Sequence, residues 1–162
     1  MTPAETLECL VQFYREKGAL ERRHEAVART VGQYDRNNAY QYIIAREQQH
    51  LSWVADAIGE TGTTVTDLPP VENLSRQKQD EDALAVVAAD ARALESLVAG
   101  WRDRVTRMTN ARHRLMLQLV LGESLEHTRL LRQAAEGRID LLGRRTGGER
   151  TAGSVLSTRW VE

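Results

Sequence analysis

Cysteine occurs once in the 162 residues, at Cys9. A single thiol excludes an intramolecular disulfide, a CxxC redox pair and a thiolate-held zinc or iron–sulfur site, and it suits a reducing cytoplasm. Proline is nearly as scarce, confined to Pro3 and the pair Pro69 and Pro70. Two long windows are therefore free of the strongest helix breaker, and each has room for two helices. Neither charge is in excess: 22 basic against 23 acidic residues give a formal net charge of -1. With the signs interspersed there is no basic stripe for nucleic acid and no acidic tail. No apolar run approaches the roughly 18 residues of a membrane span, and the opening MTPAETLECL lacks the basic run and apolar core of an export signal. The expectation is a soluble, cytoplasmic protein with no nucleic-acid or membrane partner. One domain of this length buries a sizeable core without staples.

What the chain does have is helical periodicity. Thr2 before Pro3, with Glu5 in the first turn, forms a good N-terminal cap. Leu7, Leu10, Val11, Tyr14, Gly18, Glu21, His24 and Ala28 then share one stripe, which predicts a first helix from Pro3 to about Thr30. The run VGQYDRNN reads as a tight connection. A second helix is predicted from about Arg36 to Glu60, with Tyr40, Ile43, Glu47, His50, Val54 and Ala57 facing inward. Gly59 and Gly62 end it, and TGTTVTDLPPVENLSRQKQ reads as a long polar crossover. The third helix, Asp80 to about Arg107, carries Leu84, Val87, Ala91, Leu94, Val98, Trp101 and Val105 at alternating three and four spacing, flanked by Asp90 and Glu95. A cap at Thr109 and Asn110 opens the fourth, which runs to about Gly137. This is an all-α reading: a four-helix bundle of two hairpins over residues 1–140, followed by a flexible Gly-, Ser-, Thr- and Arg-rich tail over 141–162.

The chemistry gathers in LVLGESLEHTRLL, Leu119 to Leu131. Successive helical residues turn by about 100°, so Glu123 and His127 lie about 40° apart, on the stripe of Met116, Leu119, Val120, Leu130, Leu131 and Ala134. An inward carboxylate and imidazole cost several kcal/mol of lost hydration unless something pairs with them. Three of the four histidines follow a glutamate by three or four positions: Glu21 with His24, Glu47 with His50, Glu123 with His127. His113 has no such partner and reads as a surface residue. Glu47 and Glu123 each stand about 15 residues past their hairpin turns, hence at one height in a bundle. Carboxylate and imidazole donors without thiolates suit iron, manganese or zinc.

Two hairpins carrying Glu47-x-x-His50 and Glu123-x-x-Glu126-His127 resemble the ferritin-like superfamily, particularly its rubrerythrin-like branch, over roughly Pro3 to Gly137. The resemblance implies a carboxylate-bridged binuclear iron or manganese centre inside the bundle, with Glu47, His50, Glu123, Glu126 and His127 as ligands. It also implies redox activity towards dioxygen or peroxide. The chain departs from the family pattern on the first helix, where Tyr14 stands at the usual glutamate position. Glu21 is the inward candidate there and His24 an extra ligand. On the third helix the matching positions are Asp90 and Ala93, with Glu95 as a poorer alternative. With one cysteine these residues cannot make the four-thiolate iron site of a rubredoxin-type domain, so electrons are expected to come from another protein or from substrate.

The competing reading is a metal-free bundle, monomeric or dimeric, whose inward carboxylates pair with arginine and histidine and whose role is structural or interactive. Tyr14, Tyr40, Tyr42, Trp53 and Trp101 then read as core or interface packing. Cys9 reads as a packed residue. The bundle is expected to form a homo-oligomer. The tail, ending in AGSVLSTRW before its last two residues, is loosely similar to peptides that direct ferritin-like cargo into protein shells, and is a possible partner-binding segment.

Overall fold

The computed structural model describes residues 1–65, 67–74, 80–138 and 141–142. Among the described residues four helices make up the regular structure: α1 Pro3–Ala28, α2 Tyr34–Gly59, α3 Asp80–Thr106 and α4 Ala111–Ala135. The described residues contain no strand, and no helix among them is long and apolar enough to cross a membrane.

Local chemistry sets the helix ends. The Thr2 side chain accepts from the Glu5 backbone N–H while Glu5 Oε2 accepts from Thr2 N at 2.6 Å, a reciprocal capping box with Pro3 in the first turn. Asn110 accepts from the His113 backbone N–H at 3.1 Å and starts α4. Gly137, at φ 86°, takes the left-handed turn that follows α4. The α2 cap is Gln33, whose Oε1 accepts from Arg36 N at 2.7 Å. The helix therefore begins two residues earlier than the reading from Arg36.

Each helix touches two others: α1 packs on α2 and α3, and α4 packs on α3 and α2. Along the α1–α3 seam Gln12 meets Arg104, Glu16 meets Trp101 and Arg23 meets Asp90, so these helices run antiparallel. Along α2–α4, Glu60 meets Arg112 and Tyr42 meets His127, again antiparallel. It follows that α2 and α3, on opposite corners, run in the same direction. Between them, Leu68 rests against Gly18 in the middle of α1 and occupies the space that a Cβ there would need.

The core is the inner faces of all four helices, with Leu10, Phe13, Tyr40, Ile43, Leu94 and Trp101 among its fully buried members. Phe13 meets Trp101 edge to face, centroids 5.0 Å apart. Cys9 is a free thiol within this core. Three inward and outward assignments need correction. Leu119 was expected inside but is 52% exposed, because the buried arc of α4 is centred on Val120, Ser124 and Leu131. His113 was expected on the surface and is buried, because its spacing from Leu117, Val120 and Ser124 places it on the same inward arc of α4. Leu141, placed at the start of the tail, packs into the core cluster. The rest of the proposed tail, 143–162, lies outside the described residues.

Gly18→Ala should force Leu68 off its seat and lower stability by about 1 kcal/mol or more. In a Leu68→Ala background the same change should raise stability by about 0.5–1 kcal/mol, since alanine outranks glycine inside a helix. Urea midpoints of the four proteins measure this reversal of sign. Two destabilising steps that simply add would show that Leu68 does not sit on Gly18.

Candidate functional site

Steps of about 100° per residue place Lys17, Glu21 and His24 on one stripe of α1, facing Glu47 and His50 of α2 and Ser124 and His127 of α4. Glu47, at the centre, has no exposed surface. Lys17 Nζ donates to Glu47 Oε1 at 2.5 Å and to Ser124 Oγ at 3.3 Å. His24 Nδ1 lies 2.7 Å from Glu47 Oε2. His127 Nδ1 stands 3.8 Å from Oε1, outside hydrogen-bond reach but close enough for charge to act. Burial alone would push the Glu47 carboxyl up. The positive character of His24 and Lys17 outweighs it and holds the group well below the usual carboxylate range.

A second group adjoins the first. Arg46 grips Glu123 with a fork, Nε to Oε2 at 3.0 Å and Nη2 to Oε1 at 2.8 Å, and His50 Nε2 lies 2.9 Å from Oε2. The His50 and His127 rings are stacked with centroids 6.1 Å apart, which joins the two groups. Burial lowers the pKa of His50, aided by repulsion from Lys17 and His127 and opposed by the Glu123 hydrogen bond. Asp90 belongs to a third group. It accepts from the Tyr40 hydroxyl at 2.9 Å and from Arg23 Nε, and burial beside that carboxylate keeps the Tyr40 phenol protonated far above its ordinary range.

Of the eight residues proposed as ligands, His24, Glu47, His50, Glu123 and His127 come together. Glu21 sits to one side, its Oε1 accepting from Gln48 at 2.9 Å while Oε2 has no hydrogen-bond partner. Asp90 is held apart by Tyr40 and Arg23. Glu126 projects into solvent, its side chain 66% exposed and paired with Arg129. The alternative Glu95 pairs with Arg132 on the surface. Among the described residues, no three His, Cys, Asp or Glu side chains are grouped so as to hold a metal ion.

Tested against a binuclear iron or manganese centre, the donor set does not fit. Such a centre uses carboxylates to neutralise its own charge, and here a cation of the chain already faces each: Lys17 on Glu47, Arg46 on Glu123, Arg23 on Asp90. Lys17, Ser124 and Arg46 were not anticipated from the sequence, and Tyr40, expected inward as packing, also donates to Asp90. Lys17 had a signal, since it stands one heptad after Leu10 and one before His24, at the middle of an apolar stripe. A cleft of about 600 Å³, lined by Tyr42, Arg46, Glu123, His127, Leu130 and Leu141 among others, leads from solvent to this network.

No protein-family model, curated protein or solved structure matches the chain, so these contacts carry the functional reading.

Lys17→Met should cost about 3–5 kcal/mol by stranding a buried carboxylate. The double variant Lys17→Met/Glu47→Gln, which keeps a neutral partner for His24, should recover most of it. Denaturant midpoints decide this, and a single variant as stable as wild type would refute the pairing.

Acid should unfold the protein in two stages. Native His50 resists protonation, so the unfolded chain binds more protons and stability falls as pH drops below about 6.5 towards the lowered native pKa. The contribution of Glu47 is complete above the unfolded carboxylate pKa of about 4.3 and is lost below it, through the lowered native value. Melting temperature followed from pH 8 to 3 should show both falls, and His50→Gln should remove the first.

Proposed function

We propose that this chain is a metal-free helical bundle on the ferritin-like plan, in which a lysine, glutamate and histidine network takes the place of a binuclear centre. On this reading it acts through its surface, as a structural or interaction protein. The contact of Lys17 with Glu47, both without exposed surface, carries the reading. A divalent cation on Glu47 would face that ammonium at close range in a low-dielectric interior, where like charges repel strongly. Two features support the ferritin-like plan itself. Parallel α2 and α3 require a connection that travels the length of the bundle, and Leu68 touches α1 at Gly18 on that path.

A second reading keeps the metal, and one observation favours it. His24 Nε2, His50 Nδ1 and His127 Nδ1 are buried without hydrogen-bond partners, as imidazole nitrogens awaiting an ion would be. His24, Glu47, His50, Glu123 and His127 would then hold iron or manganese. The metal would supply redox chemistry towards dioxygen or peroxide.

Metal content by mass spectrometry, after exposure to Fe(II) or Mn(II) and desalting, separates the two. The first reading expects far less than one ion per chain and no change in melting temperature. It also expects Lys17→Glu, which turns the ammonium into a further donor, to gain metal binding. Close to two ions per wild-type chain, lost in Glu47→Ala, would overturn it in favour of the second.

A further inference from the structure

The outer face of α4 carries leucines where a solvated helix normally carries charge. Leu115 is 62% exposed, Leu119 52% and Leu125 41%. At about 100° per residue, Leu115, Leu119 and Gly122 fall within about 60° of one another on the side away from the core. A Cβ built on Gly122 would meet nothing within 4 Å, so a shallow hollow lies beside the two leucines. The face has polar ends: Arg112 at its start, paired with Glu60, and Glu126 towards its end, paired with Arg129.

We infer that this face binds a second copy of the chain, with the two α4 helices antiparallel about a two-fold axis at Leu119. The face complements itself in that register. Leu119 meets the partner's Leu119 on the axis. Leu115 enters the hollow at the partner's Gly122, and the reciprocal contact forms by symmetry. Arg112 comes opposite the partner's Glu126, so both ends of the helix pair match positive to negative. One register thus satisfies shape and charge together, which a heterologous partner would have no reason to share. Antiparallel helices pack with axes about 8–10 Å apart, and a glycine at the contact favours the close end of that range. A leucine-centred patch with a charged rim has the usual anatomy of a protein interface. Leu115 and Leu119 lie on the side of α4 away from Ser124 and the Lys17–Glu47 pair, while Glu126 at the end of the face also lines the cleft that holds Glu123 and His127.

Sedimentation equilibrium of the full chain at up to about 100 µM tests it, a range in which a small helix-pair interface associates. The expected species has twice the 18.3 kDa chain mass. Leu119→Glu, which places two carboxylates on the axis, should give a monomer with unchanged helical content and melting temperature. Leu119→Cys should cross-link to a disulfide dimer on mild oxidation, since a residue on the axis brings the two Cα atoms within about 7 Å. Gln133→Cys, on the same stripe but far from the axis, should not.

A wild-type chain that stays monomeric overturns the proposal. So does a dimer that persists in Leu119→Glu, or equal cross-linking by both cysteines. A monomer whose Leu119→Cys thiol is shielded from maleimide would overturn it in favour of coverage by residues 143–162 of the same chain.

Discussion

The structure depends on one buried ion pair. Taking an ammonium and a carboxylate out of water costs several kcal/mol per ion, and attraction between them offsets that only when every remaining donor and acceptor is engaged. Lys17 and Glu47 approach that condition through helices that are far apart in sequence: Ser124 of α4 takes a second of the ammonium's three protons, and His24 of α1 meets the second carboxylate oxygen. Three helices must therefore reach their final height together before the pair is stable. Such a contact adds little to net stability compared with an apolar core of equal volume, but it penalises any register in which Lys17 and Glu47 miss each other.

The same rule is repeated around the bundle. Asp90 is matched by Arg23 and Tyr40, Glu123 by Arg46 and His50, and surface Glu95 by Arg132. Charges of opposite sign are thus assigned to one another from the centre of the bundle to its rim. Of the four buried imidazole nitrogens without a hydrogen-bond partner, those of His24, His50 and His127 belong to the central network and that of His113 lies in the first turn of α4.

The helices were legible because their signals are local. The Thr2 cap with Glu5, the Asn110 cap and the glycine after α4 act within four residues, and the helix bounds fall within about two residues of those read from periodicity. Facing was less secure. Leu119 lies about 100° from Val120, so a leucine-rich helix offers more than one credible stripe, and only packing on both α2 and α3 selects the arc centred on Ser124. The inward polar set was recognised as glutamate and histidine, with arginine and histidine as the competing partners for its carboxylates, but Lys17 and the particular pairings were not. Lysine and arginine are long enough to point either way, and Lys17 turns inward because Glu47, thirty residues later, waits there. Which cation meets which carboxylate is a property of the assembled bundle.

The seat of Leu68 on Gly18 bears on how the chain stays one molecule. Each hairpin, α1 with α2 and α3 with α4, closes over a short connection and forms early from local contacts. Their mutual interface can in principle be completed by a hairpin from a second chain, the exchange known as domain swapping. What favours closure within one chain is the high effective concentration set by the tether between α2 and α3. Anchoring that tether at α1 shortens its free length and raises this concentration further. A single glycine without a side chain thereby acts on topology, as the notch that holds the tether against its own first helix.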